Sequence, residues 1–424
     1  MAKVVRRHWQ SAASAGLPRR DRQSCEYEAY IPDPLIGRPL RLDAPVAADV
    51  ADAEAAIARL NSEARALVDT EALARLLLRA ESVASSKIEG LEVGPRRLLH
   101  AEAERNLGQR STDITAAEVL GSIDAMVYAV ESVAGAKEIT LEQLLEAHRR
   151  LLAGTRLEQS GGRLRTQQNW IGGSDYNPCS ASYVPPPPEF VEGLLRDLCS
   201  FCNEDSLPAV AQAALAHAQF ETIHPFVDGN GRTGRALVHL VLRRRGLAPR
   251  VLPPVSLILA TWATDYVEGL SGTRYRGRAT SPASHEGMNR WIALFATACR
   301  RAVDDAAAFE ERVRELEGAW RKRLGRVRAN SAVDLLLSAL PGAPMLTVKS
   351  AAGLIGRTLP AANEAVQRLV EAGVLRQVTV GRRNRAFAAP DLIHAFGGLE
   401  RQLASPNGDT HVSPPARHVP RRRH

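Results

Sequence analysis

His224-Pro225-Phe226-Val227-Asp228-Gly229-Asn230-Gly231-Arg232-Thr233-Gly234-Arg235 is the stretch on which the reading of this chain turns. A helical pattern runs up to it over residues 209–222 and resumes over residues 233–245. Gly229 and Gly231 let consecutive amide N–H groups converge on one concavity, a nest suited to an anion. The helix opening just after them adds the positive end of its dipole. Arg232 and Arg235, three apart, share a helix face and reach the same phosphate. Asp228 sets a carboxylate where a magnesium ion bridging phosphate oxygens needs one. His224 offers a neutral imidazole able to take a proton from an attacking hydroxyl.

Each part alone is a weak signal, since single histidines are usually structural and helix-borne arginine pairs usually solvated. Residues 229–234 also fit G-x-G-x-x-G, but a dinucleotide fold needs a strand before the glycines, and here a helix precedes them. No kinase catalytic loop follows, and there is no G-x-x-x-x-G-K-[ST] loop. Base, metal carboxylate, phosphate nest and two arginines within one short stretch nevertheless make a specific combination.

The stretch resembles the Fic-family motif H-P-F-x-[DE]-G-N-G-R-x-x-R at every defined position. Gly161-Gly162-Arg163-Leu164-Arg165, Gln168-Asn169-Trp170-Ile171-Gly172-Gly173 and Tyr183-Val184-Pro185-Pro186-Pro187 resemble the segments that precede it in that family, and the likeness spans roughly residues 1–315. The resemblance implies a mainly α protein: a helical core with a short β-hairpin flap at about residues 175–184. It implies transfer of AMP from ATP to a hydroxyl side chain of a protein, the chain itself included. His224 would be the base, and Asp228 would hold Mg2+ against the α- and β-phosphates. Gly229, Asn230, Gly231, Arg232, Thr233 and Gly234 would bind phosphate oxygens, and Arg235 would anchor the γ-phosphate. Tyr266 is a candidate adenine contact, with core packing as its alternative. One branch of the family phosphorylates instead and has a lysine for the second glycine; Gly231 favours AMP transfer. The flap would take target backbone as an added strand, while its tip, Tyr176-Asn177-Pro178-Cys179, has no evident role.

Working outward, residues 71–89 carry a buried helix stripe of Leu73, Leu76, Leu77, Ala80, Ala84 and Ile88, with Gly90 placed as a helix C-terminal glycine. Ser85-Ser86-Lys87-Ile88-Glu89-Gly90 resembles the family's inhibitory motif [ST]-x-x-x-E-[GN], which implies that Glu89 pairs with Arg235 in place of the γ-phosphate. Ser85 stands four residues before it on the same face. Further helices are expected over 49–62, 115–133, 141–152, 188–201 and 288–316, and residues 1–45 read as extended and turn-rich. His148 and His217, on helical stretches without metal-ligand partners, read as hydrogen-bonded core residues. The domain boundaries expected are 1–110 for the N-terminal region with the inhibitory helix, 111–318 for the catalytic core and 325–396 for a winged helix, with a disordered tail over 405–424. The winged helix comprises helices at 331–340, 348–355 and 360–371 and a hairpin at 375–380 and 385–388. Its turn, Gly381-Arg382-Arg383-Asn384-Arg385, is basic. The face of its third helix, with Asn363, Glu364, Gln367, Arg368 and Glu371, is not, so partner docking or dimerisation is favoured over DNA binding.

With 424 residues, more than one domain is expected. A formal charge of +8 decides little, because the arginine and alanine richness reads equally as a coding bias. The charged N-terminus lacks an apolar leader, and the apolar run at 251–263 is too short to span a bilayer. A soluble cytoplasmic protein without membrane contact follows. Five scattered cysteines fit a reduced compartment, and the C-x-x-C of Cys199 and Cys202 reads as two ordinary thiols on a helix. Two other functions remain: removal of AMP by the same residues, and a DNA- or protein-binding regulator around a vestigial core. The sequence leaves homodimerisation open.

Overall fold

The computed structural model describes residues 1–11, 17–63, 70–106, 108–109, 111–133, 138–380 and 384–395. In chain order these form β1 (Lys3–Trp9), β2 (Cys25–Ile31), α1 (Ala44–Glu63), α2 (Thr70–Ile88), α3 (Pro95–Asn106) and α4 (Ile114–Ser132). Then come α5 (Leu141–Leu152), α6 (Pro188–Asn203), α7 (Ala209–Ile223), α8 (Asn230–Arg244), α9 (Val255–Thr261), α10 (Ala263–Gly272) and α11 (Pro282–Leu324). The chain continues through α12 (Ala332–Ala339), β3 (Met345–Leu346), α13 (Val348–Ile355), α14 (Leu359–Glu371), β4 (Arg376–Val380) and β5 (Asn384–Ala388). Helix dominates, as expected, with two small antiparallel sheets, and the elements fall into two compact units.

The first unit comprises Met1–Glu54, Ala125–Leu247 and Thr264–Thr297. At its centre α7 is buried along its whole length, which alanines at 209, 211, 213, 214, 216 and 218 allow by letting neighbouring backbones approach closely. A central helix of this kind has no solvent face, so its sequence shows little amphipathic periodicity. Against it lie α6 and α8, and α5 packs on both of these. Trp291 of α11, fully buried, donates its indole N–H to the Ala214 carbonyl at 2.7 Å and so fixes α11 on α7. Gly269 of α10 faces that same indole so closely that a Cβ would stand 2.9 Å from it.

In the second unit are Ala55–Asp124, Ala248–Ala263 and the chain from Ala298 onward. Here α2 packs along α9, burying Leu76, Leu77, Ala80 and Ala84; the Leu73 side chain lies outside the described residues. Glu81, 1% exposed, accepts hydrogen bonds from the Ser256 amide (2.7 Å) and hydroxyl, which satisfies the start of α9 with a charged acceptor. Gly90 adopts φ 81, as a helix-terminating glycine does. Near the C-terminus α12, α13 and α14 accompany a three-stranded sheet in the order β3-β5-β4, in which β3 lies between α12 and α13 in the chain and the β4–β5 hairpin follows α14. Ser331 and Thr347 cap α12 and α13 through their hydroxyls, and α14 buries Ala362, Ala365, Val366 and Leu369. The basic turn residues Gly381, Arg382 and Arg383 and the tail from 405 lie outside the described residues.

Four features depart from the sequence reading. The N-terminal region is not merely extended: β1 and β2 form an antiparallel pair from Lys3↔Ile31 to Trp9↔Cys25. Helices α3, α9 and α10 had no counterpart in the periodicity. The helix expected from residue 233 begins at Asn230, inside the motif itself. Cys25 and Cys179 are joined by a disulfide with Cα atoms 5.7 Å apart, so the reduced-thiol reading holds for Cys199, Cys202 and Cys299 only. Burial pushes the Cys199 thiol up to about 12 and Cys202 well above its ordinary value, which makes both unreactive.

Candidate active site

α7 ends at His224, which takes the left-handed conformation, φ 49 and ψ 61. A β-carbon is unfavourable there, so the turn persists only because its surroundings determine it. Arg165, 4% exposed, supplies most of that determination. Its guanidinium donates to the carbonyls of His224 (2.8 Å), Ile223 (3.3 Å), Gln167 (3.2 Å) and Pro186, and its own amide donates to the Pro225 carbonyl (2.9 Å). Burial lowers its pKa to about 10, still charged at neutrality. Asn169 adds amide bonds to the carbonyls of His224 (3.2 Å) and Phe226 (3.0 Å). Asn230 then reaches back, accepting from the Phe226 amide (2.8 Å) and donating to the Phe226 carbonyl (2.9 Å).

Gly229, at φ 76, is the N-cap of α8 and contributes no side chain to the orphan amides of the first turn. Asn230, Gly231 and Arg232 therefore present their N–H groups at the positive end of α8, the arrangement that receives an anion. Thr233 closes the turn by donating its hydroxyl to the Gly229 carbonyl at 2.9 Å. Gly234 lies under the loop, where a Cβ would meet Glu221 Oε1 at 2.8 Å and Phe220 at 2.9 Å. Arg232, 7% exposed, holds an oxygen of Asp228 at 3.2 Å, while the Asp228 side chain is half exposed. Arg235 is 2% exposed, with one guanidinium nitrogen 3.3 Å from the Tyr266 hydroxyl. That hydroxyl in turn meets His217 Nε2 at 2.7 Å, and the rings of Tyr266 and His217 are stacked. Tyr266 is thus 4% exposed and sits behind Arg235. Burial, aided by the positive charge of Arg235, lowers His217 to about 3, so it stays neutral.

Glu221 is a further site residue that sequence reasoning missed: its carboxylate stands 3.9 Å from His224 Nδ1. Its spacing of three from His224 on one helix was the available signal. His148 is a core residue as expected, hydrogen-bonded to the Asp228 carbonyl and to the Gly162 amide. Of the expected flap hairpin only one bridge forms among the described residues, Ile171↔Tyr183. Its tip, without an evident role in sequence, is docked on β2 and on the turn at residues 19–21 that precedes it. Asn177, fully buried, donates to the Arg20 carbonyl (2.9 Å), Ser174 donates to Asp21 (2.6 Å), and Trp170 packs edge-on against Trp9. The Cys25–Cys179 disulfide completes that attachment. In the second unit Ser85 is buried and Glu89 exposed.

Among the described residues no group of three or more His, Cys, Asp or Glu side chains is arranged to hold a metal. A magnesium ion shared with a substrate needs less, one or two carboxylates plus phosphate oxygens and water. The half-exposed Asp228 beside the nest fits that requirement.

The left-handed turn at His224, the open start of α8 and the buried Arg232 and Arg235 thus lie together in one helical unit. Residues 138–242 match the model of the Fic/DOC family, and residues 47–131 match that of the Fic/DOC family N-terminal region. The chain carries a Fic/DOC-family domain with that family's N-terminal region before it. Protein adenylyltransferase fic-1 of Caenorhabditis elegans is 33% identical over 163 residues, 38% of this chain and 30% of that protein. Protein adenylyltransferase Fic of Drosophila virilis is 40% identical over 139 residues, 32% of this chain and 27% of that protein. The chain therefore spans about 30% of the length of these curated relatives. A crystal structure of a Fic family protein from Desulfovibrio desulfuricans G20 has the same fold, with TM-score 0.51, 21% identity, and coverage of 83% of this chain and 97% of that one.

Proposed function

We propose that this protein is an adenylyltransferase that moves AMP from ATP to a hydroxyl side chain of a protein, itself included. The observation that carries the reading is the conjunction at one turn: the His224 imidazole, the open first turn of α8, and the inward Arg232 and Arg235. The hydroxyl oxygen attacks the α-phosphorus while the bond from that phosphorus to the α,β-bridging oxygen breaks. Pyrophosphate leaves, and the hydroxyl proton passes to His224. The amides of α8 and Arg232 hold the β-phosphate, Arg235 the γ-phosphate, and Tyr266 with His217 orients Arg235. Asp228 would hold Mg2+, whose charge offsets that of the departing pyrophosphate. Glu89 inhibits by pairing with Arg235, which leaves ATP in an unproductive pose.

We assign the domains as 1–110, 111–318 and 325–396, the last a winged helix; the order α12, α13, α14 and then hairpin supports this. Its use is partner docking or dimerisation ahead of DNA binding. No described helix is long and apolar enough to cross a membrane. We place the protein in the cytoplasm, where the Cys25–Cys179 pair would respond to redox poise. The test is incubation with α-labelled ATP and magnesium. Wild type is expected to label itself or a lysate protein, and His224→Ala to bind ATP without labelling. Equal labelling by both would remove His224 as the base.

A further inference from the structure

α5 presents two buried residues, His148 and Leu151, to the underside of the phosphate loop. His148 is fully buried, and its ring is stacked on Phe226 with centroids 3.6 Å apart and planes within 7°. Its two nitrogens have partners of opposite kind. The Gly162 amide, which can only donate, is 3.0 Å from Nδ1, and the Asp228 carbonyl, which can only accept, is 2.9 Å from Nε2. The proton is therefore on Nε2 and the lone pair on Nδ1, a single neutral tautomer. Gly229 rests on the same surface: a Cβ there would stand 2.6 Å from Leu151 Cδ2 and 3.5 Å from the imidazole.

The consequence lies in the peptide that joins Asp228 to Gly229. In a trans peptide the C=O and N–H point in opposite directions. Pinning the Asp228 carbonyl down onto His148 therefore aims the Gly229 N–H away from α5, on the side of the nest. We propose that His148 is a positioning residue for the nucleotide: through its Nε2–H it sets the direction of the Gly229 amide that receives an ATP phosphate. The His148–Gly162 bond sets the ring itself, coupling the 161–165 segment to the phosphate loop. This rests on the adenylyltransferase reading for its ligand, but its geometry stands on the loop alone.

Full-length variants separate the two bonds. His148→Gln keeps an amide N–H near the Nε2 position, and His148→Asn keeps an acceptor near Nδ1 for Gly162. His148→Phe keeps only the stack on Phe226. Affinity for Mg-ATP is measured by calorimetry, AMP transfer by labelling at saturating ATP, and thermal midpoints are recorded alongside. One lost bond to a charged phosphate corresponds to roughly tenfold or more in affinity, so Phe and Asn are expected to fall by that factor while Gln stays near wild type. Comparable thermal midpoints for Gln and Asn would show that the difference is not one of folding. Equal ATP affinity for Gln and Asn, or an unimpaired Phe variant, overturns the assignment. If wild type binds ATP but transfers nothing, the catalytic reading fails, while the Gln-versus-Asn order of ATP affinity still decides the role of His148.

Discussion

His224 occupies a left-handed turn that costs a non-glycine residue about 1–2 kcal/mol, and the bonds converging on its carbonyl offset that cost. Arg165 is the chief donor among them, from 59 residues away in sequence. Its replacement by alanine removes a donor from the carbonyls of Ile223 and Pro186 and leaves that of His224 with Asn169. Arg165→Ala is expected to lose about 3 kcal/mol of stability and nearly all transfer activity. Arg165→Lys, a point charge without the planar fork, should recover stability in part and activity little. Chemical denaturation and labelling read the two effects separately; an alanine variant with wild-type stability would show that Asn169 suffices. The motif 224–235 was legible in sequence because its parts lie within one turn and its flanks. Arg165, Asn169, His148 and His217 support it from distant segments, and no local pattern announces which backbone atom a remote side chain will reach.

At the scale of elements, the α7–α8 pair holds His224 at the end of one helix and the open first turn at the start of the other, so their spacing matters to both. Gly234 sets that spacing. A methyl there would stand 2.8 Å from Glu221 Oε1, 2.9 Å from Phe220 Cδ1 and 3.1 Å from His217 Nδ1. Gly234→Ala therefore forces the helices apart despite alanine's better helix propensity, and is expected to destabilise by about 1–3 kcal/mol. A shift of the nest relative to His224 should lower transfer more than ATP binding; a rise in thermal midpoint would contradict the packing argument. The flap turn belongs to the same scale. Cys179→Ser removes its covalent tie to β2 but leaves the Asn177, Ser174 and Trp170 contacts. Proteolytic cleavage between residues 170 and 184 should then quicken, as should cleavage of reduced wild type, while ATP affinity stays unchanged. Unaltered cleavage would mean that the non-covalent contacts hold the turn alone. Elements escaped the sequence where their signal was weak. β1 is mostly exposed and lacks an apolar alternation, β2 alternates over only a few residues before its buried end, α3 is rich in arginine and glutamate, and α9 is a short apolar run without period.

At the scale of the whole molecule, the long periodic helices were legible, whereas the division into compact units was not. Each unit is assembled from three separate stretches of chain, a division by packing that is distinct from the proposed domains along the sequence. Periodicity reports which face of a helix is buried, not which neighbour buries it. Glu89 closes the S-x-x-x-E-G motif just after α2, and Arg235 is a buried guanidinium whose charge the γ-phosphate would pair. A carboxylate held by Arg235 competes with that phosphate through the same charge-assisted geometry, so removing it frees the arginine without touching the base or the nest. Glu89→Gly is therefore expected to raise self-labelling by at least about tenfold, the worth of one such charged pair. Arg235→Ala should abolish the gain in the double variant, because the γ-phosphate anchor is then missing whatever stands at 89. Labelling with α-labelled ATP across the four combinations measures this coupling directly. A Glu89→Gly rate at or below wild type, or full activity in the double variant, would refute inhibition through Arg235.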